Sequence, residues 1–126
     1  MLEPGLIGQL YIESQPRGPI IVFALHGSLD RHTAPMLARR LDQALVRGST
    51  RIVLDFARSS LADMTVLRGL AAACAKARAA TGGITLANVP PAADRAIRAA
   101  GLGGIVTVGG TVAEACEVLA PASKAA

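Results

Sequence analysis

The sequence predicts a small α/β domain in which helices alternate with short apolar strands. The sequence contains five short apolar runs, typical of strands. From the second run onwards, they are separated by segments with apolar residues at spacings of three and four, which is typical of helices. The first two strands are joined by a short turn, so they are antiparallel, whereas helices of about 10–16 residues join the later ones as parallel crossovers. The predicted order is β-β-α-β-α-β-α-β-α, which gives a mixed, mostly parallel sheet of about five strands with four helices.

The strands are predicted from apolar and β-branched runs that are bounded by turn residues. The segment 15–18 (QPRG) has the composition of a turn and is assigned to the connection between the first two strands. The run 51–56 (RIVLDF) is almost continuously apolar, as expected of a central buried strand. The predicted strands are residues 7–14, 19–26, 51–56, 84–87 and 105–108.

Four helices are predicted from apolar spacing and from residues that cap helices. The first begins near Thr33 as N-cap, has Pro35 in its first turn and ends at Gly48. The fourth begins with Thr111 and Glu114 in the pattern of a capping box. The positions expected to face the core in the first three helices are Leu37, Leu41, Ala44, Leu45, Leu67, Leu70, Cys74, Ala77 and Ile97.

Length and composition indicate one folded unit. At 126 residues, 52% of them hydrophobic and only 2% aromatic, the chain can form a core of Leu, Val, Ile and Ala. We expect residues 1–120 to form a single domain and residues 121–126 to be a frayed tail. The sequence has neither an apolar run of bilayer length nor the pattern of a signal peptide, so a cytoplasmic protein without membrane contact is expected.

Several function classes are disfavoured by the residues present. Cys74 and Cys116 fall at apolar helical positions, and with only His26 and His32 beside them they do not predict a metal site. The net charge of +4 comes from dispersed basic residues without interleaved aromatics, so direct DNA binding is not expected. We therefore expect no metal and no cofactor. An acidic protein partner remains a secondary possibility for the basic surface.

Enzyme chemistry is also disfavoured. The glycine-rich segment 101–104 leads into a strand, whereas a phosphate-binding loop opens a helix. Ser28 lacks the glycine that a nucleophile elbow requires two residues later. His26 at the end of an apolar strand is expected to be a structural histidine with satisfied hydrogen bonds. The acidic residues Asp30, Asp55 and Asp63 follow or end strands, but no group that would bind an electrophile accompanies them.

One segment stands out as a binding or regulatory site. Residues 59–68 (SSLADMTVLR) follow the central strand, and functional groups of open α/β sheets collect at the carboxyl ends of strands. With Asp63 as N-cap, Thr65 takes about the second helical position and points away from the core. Its hydroxyl either helps to cap the helix or accepts a phosphate, which the helix dipole and Arg68, three residues on, would stabilise.

Three stretches of the chain carry a resemblance to a known family. Residues 27–34 (GSLDRHTA), 51–56 (RIVLDF) and 61–67 (LADMTVL) resemble, in this order, the loop, central strand and helix start of STAS domains in bacterial anti-sigma factor antagonists. The resemblance covers nearly the whole chain and implies a STAS-like fold that binds proteins and is not an enzyme.

The resemblance implies a partner-switching role. Proteins of that family bind an anti-sigma factor, a serine/threonine kinase of the histidine-kinase-like ATPase type, and so free a sigma factor. Phosphorylation by the same kinase ends the complex. By position, the resemblance makes Thr65 the phosphoacceptor. We also expect a monomer or weak dimer. The partner-binding residues implied in this way are Asp30, Thr33, Asp63, Met64, Val66 and Arg68.

The motif departs from the family pattern at two positions. Met64 stands where the family has Ser, and Val66 stands where it has Gly. Three hypotheses follow. The chain is a regulated antagonist with Thr65 as the switch, or a non-switching STAS scaffold or ligand-sensing module, or a small enzyme or nucleotide-binding protein. Met64 and Val66 favour the second hypothesis, whereas Asp63, Thr65 and the loop that contains Asp30 favour the first.

Overall fold

The computed structural model describes residues 10–61 and 65–119, and it confirms the predicted fold class. Within these residues the sheet has five strands in the order β1-β2-β3-β4-β5. The first pair is antiparallel and the other three pairs are parallel. The strands are β1 (Leu10–Arg17), β2 (Ile20–Leu29), β3 (Arg51–Leu61), β4 (Gly83–Ala87) and β5 (Thr107–Val108).

The four predicted helices are all present, at nearly the predicted positions. The capping box of the last helix is confirmed, because Thr111 N donates to Glu114 Oε1 at 2.8 Å and Glu114 N donates to Thr111 Oγ1 at 3.1 Å. The helices are α1 (Ala34–Val46), α2 (Val66–Ala79), α3 (Pro91–Ala99) and α4 (Val112–Leu119). The predicted tail, 121–126, lies outside the described residues and remains a prediction.

The turn between the first two strands is shorter than predicted. Arg17 pairs with Ile20, so residues 18 and 19 alone form the turn, and the assignment of 15–17 to a turn was wrong. Gly18 has a φ of +61°, as required at the first central position of a type II′ hairpin turn. Pro16 is tolerated within β1 because β1 is an edge strand, where a missing N–H leaves no neighbour unpaired.

The central strand is longer than predicted. β3 continues to Leu61 because its residues 59–61 pair with Gly27–Leu29 of β2. An irregularity interrupts this pairing: Ala24 pairs with Asp55 and His26 pairs with Arg58, so β3 contains one extra residue. The predicted end of the strand at Phe56 coincides with this bulge.

The sheet packs a core on each face. On one face, α1 and α2 cover the sheet with the apolar side chains that the sequence predicted to face the core. All of these side chains are buried except Leu45, which is half-buried at the edge of the core. On the other face, α4 packs Ala115 against Val22, Val53 and Ala87. Because α4 covers only part of this second face, the carboxyl ends of β2 and β3 remain open there.

Candidate functional site

The loops that follow β2 and β3 begin side by side. Leu29 and Leu61, the last residues of these strands, are paired in parallel register. The loop that contains Asp30 and the segment that leads to α2 therefore leave the sheet at the same edge, as expected at the carboxyl ends of parallel strands.

The first loop is held by a compact hydrogen-bond network. Thr33 is only 3% exposed, and its Oγ1 donates to Ser28 O at 2.7 Å and accepts from Asp30 N at 3.0 Å. Asp30 Oδ1 accepts from His32 N at 2.8 Å and from Thr33 N at 3.0 Å. Thr33 occupies the N-cap position of α1 as predicted, but its side chain does not bond the first turn of the helix. It instead fixes the shape of the preceding loop.

Thr65 is exposed and lies at the start of α2. It occupies the N-cap position, whereas the sequence predicted the second helical position, because the described helix begins at Val66. The Thr65 side chain makes no capping hydrogen bond to that helix. The predicted N-cap Asp63 and the predicted partner-binding residue Met64 lie outside the described residues.

Two other predicted site residues on α2 differ in exposure. Val66 is only 6% exposed and packs into the core, so its side chain offers little surface to a partner. Arg68 is exposed, one helical turn from Thr65. The structure thus leaves Asp30, Thr65 and Arg68 accessible, whereas Thr33 and Val66 act within the fold.

A groove between α1 and α2 joins the two parts of the site. It has a volume of about 260 Å³, and both Arg31 and Thr65 line it. Its walls are mostly apolar, and small residues on both helices (Ala38, Gly69 and Ala73) keep it open. Sequence reasoning missed this groove. The signal was the set of small residues on two helices whose large residues point to the core.

Several exposed arginines lie on this side of the molecule. Arg31 lines the groove, Arg39 and Arg47 line a neighbouring depression along α1, and Arg68 is exposed on α2. Asp42 faces Lys76 across the two helices at 3.5 Å. Within the described residues, no three His, Cys, Asp or Glu side chains are grouped as a metal site would require.

The cysteines behave as packing residues. Cys74 is buried in the core, and burial raises the pKa of its thiol to about 11, although the positive charge of Arg78 partly opposes this. A thiol with so high a pKa is a poor nucleophile near neutral pH. Cys116 is half-buried beside the second core, and both cysteines are free.

The chain belongs to the STAS domain family. The family described as "Mlab, STAS domain" matches residues 17–107, which include β2 to β4, the first residue of β5 and the candidate site. A search of curated proteins found no match. In the described ranges, no helix combines the length and the apolar character that crossing a membrane requires.

Solved structures of anti-sigma factor antagonists share this fold. One from Mycobacterium paratuberculosis is 21% identical, with a TM-score of 0.78 over 89% of this chain and 95% of that one. The phosphorylated form of SpoIIAA, a Bacillus cell fate determinant, is 23% identical, with a TM-score of 0.66 over 86% of this chain and 98% of that one. Its unphosphorylated form has a TM-score of 0.60 at 22% identity, over 71% and 82% of the two chains.

Proposed function

We propose that this chain is an anti-sigma factor antagonist that binds an anti-sigma factor kinase, frees a sigma factor, and is released when Thr65 is phosphorylated. The family membership and the antagonists among the similar structures support this role. The observation that carries the proposal is that Arg31 and Thr65, from separate loops, line one groove. A partner seated there would contact both loops at once and would detect any change at Thr65.

The switch acts by changing the charge of this surface. The kinase transfers the γ-phosphoryl group of ATP to Thr65 Oγ1, so a P–O bond forms, ADP leaves, and the hydroxyl proton passes to a base of the kinase. The phosphate adds roughly −1.5 to −2 charges beside an apolar groove. A partner matched to the bare hydroxyl must then desolvate this charge or dissociate.

The fold itself tolerates the modification. At the N-terminus of α2 a phosphate meets the positive end of the helix dipole, and Arg68 lies one turn further along the helix. The phosphate therefore changes the binding surface and leaves the helix intact. Arg68 supplies an exposed charge for contact and Asp30 a half-buried one, whereas Thr33 and Val66 position the two segments.

The proposal is tested by a pull-down from lysate of the native host with ADP present. The baits are the wild type, Thr65→Glu and, as a matched control, Ala72→Glu, which adds the same charge to an exposed position of α2. The proposal requires that the wild type and Ala72→Glu capture a small histidine-kinase-like ATPase and that Thr65→Glu does not. If no bait enriches such an ATPase, the antagonist role is wrong.

A second candidate function is a STAS module that binds the same partner without a switch. The observation that favours it is the burial of Val66, which replaces a glycine of the family pattern with a side chain that is part of the core. Equal capture of the ATPase by the wild type and Thr65→Glu would support this second function.

A further inference from the structure

A polar cavity lies on the sheet face opposite α1 and α2. Its volume is about 350 Å³, within the range of small-molecule sites. Ala24 lies between the strands that line it, and because alanine is small, five longer polar side chains surround it: Glu13 and Gln15 of β1, His26 of β2, and Asp55 and Arg58 of β3.

The bulge in β3 is what brings the two charges of that strand together. In a regular strand, residues three apart point to opposite faces. The extra residue changes this relationship, since Asp55 pairs with Ala24 while Arg58 pairs with His26, two residues further along β2. Asp55 and Arg58 therefore point to the same face, on which Glu13 and His26 also lie.

His26 is left with an unsatisfied ring nitrogen. Its Nε2 is shielded from solvent and makes no hydrogen bond within the described chain, so the expectation of a fully satisfied histidine was wrong for this atom. Glu13 Oε1 is 3.4 Å away, close enough for attraction but without hydrogen-bond geometry. The Tyr11 ring lies at 5.6 Å from the imidazole, centroid to centroid. A buried polar atom without a hydrogen bond destabilises the fold unless a ligand supplies the missing partner.

The cavity is lined by groups of both signs of charge. The guanidinium of Arg58 makes no hydrogen bond or ion pair with the described residues. Asp55 uses Oδ1 to accept from Asn88 Nδ2 at 2.9 Å and from Ala57 N at 3.0 Å, which leaves Oδ2 available to a ligand. Arg58 and His26 thus provide donors, and Glu13 and Asp55 provide acceptors.

We propose that this cavity binds a small zwitterion of the amino-acid class. The ligand carboxylate accepts from Arg58 and from Nε2–H of His26, and the ligand ammonium donates to Glu13 and Asp55 Oδ2. Arginine is suited to the first role because its planar fork matches a carboxylate. Binding would satisfy the shielded nitrogen of His26 and neutralise both signs of charge within one molecule.

The two histidines of the chain make this site directly observable by NMR. The His26 ring signals are assigned by comparison with the variant His32→Gln. The common amino acids are titrated one at a time to about 10 mM, with acetate and methylammonium as probes that carry one charge each. We expect at least one amino acid to shift the His26 signals saturably, with each single-charge probe binding at least about tenfold more weakly.

Two variants and one control test the assignment of the cavity. Arg58→Ala is expected to weaken binding of the amino acid at least about tenfold. Ala24→Leu is expected to abolish it, because the larger side chain fills the cavity. Arg39→Ala removes an exposed arginine of α1 and is expected to leave binding unchanged. Thermal unfolding verifies that each variant is folded. The proposal is overturned if no amino acid shifts the His26 signals, if a single-charge probe binds as tightly, or if Arg58→Ala binds like the wild type.

Discussion

Leu29 and Leu61, the last residues of two adjacent parallel strands, lie directly beside each other. The two loops that follow these strands are about thirty residues apart in the chain, and the pairing places their first residues side by side. One loop leads to Arg31 and the other to Thr65, and both residues line the groove between α1 and α2. The proposed binding surface is therefore assembled by the register of the sheet.

The loop before α1 depends on the buried hydroxyl of Thr33. Thr33→Val keeps the shape of the side chain but removes the hydrogen bonds to Ser28 O and from Asp30 N. We expect the free energy of unfolding, measured in urea, to fall by about 1–3 kcal/mol, the cost of buried polar groups that lose a partner. Thr107→Val, at a half-buried threonine of β5, is the control and should change stability by less than about 0.5 kcal/mol. Equal losses in both variants would contradict the structural role of Thr33.

The groove makes Gly69 a position where stability and binding should change in opposite directions. A Cβ at Gly69 would meet no atom within 4 Å, so Gly69→Ala should stabilise α2 by about 0.5–1 kcal/mol. The added methyl group enters the groove, so the affinity for the proposed anti-sigma factor partner should fall. Gly103→Ala, also with open space but outside the groove, is the control for affinity. Calorimetric titration measures the affinity of both variants for the partner. Unchanged affinity in Gly69→Ala would mean that the partner does not enter the groove.

Because the thiol of Cys74 is buried, we expect the free energy of unfolding to fall at high pH. Burial raises the pKa of its thiol from 9.0 to about 11, so the folded state keeps the proton after the unfolded state has lost it. This contribution is fully present below pH 9 and is lost as the pH rises from 9 towards 11. Cys74→Ala should show a smaller decrease in unfolding free energy over this interval than the wild type. A decrease of the same size in both proteins would show that the thiol is not responsible.

The local signals in the sequence were sufficient for most of the fold. The capping box at Thr111 and Glu114 and the stripe at Leu67, Leu70 and Cys74 depend on residues within one or two helical turns, and both are present. Such signals can be recognised in a short window because the interactions themselves are short in sequence.

The errors arose where distant pairing decides the structure. Ser59 and Ser60 have the composition of a loop, yet they extend β3 because Gly27 and Ser28 of β2 pair with them. The bulge that turns Arg58 towards His26 likewise exists only in the pairing of the two strands. The groove at Thr65 and the cavity at Ala24 follow from these long-range relationships, so neither was predicted from the sequence.

The central claim is that Thr65 is the switch, and phosphorylation of the purified protein tests it most directly. The captured ATPase is incubated with the chain and ATP, and peptide mass spectrometry then locates the phosphate while size-exclusion chromatography follows the complex. The account predicts a phosphate on Thr65, none in Thr65→Ala, and loss of the complex only when Thr65 is modified. A complex that persists with phosphorylated Thr65, or a phosphate found only at another residue, would contradict it.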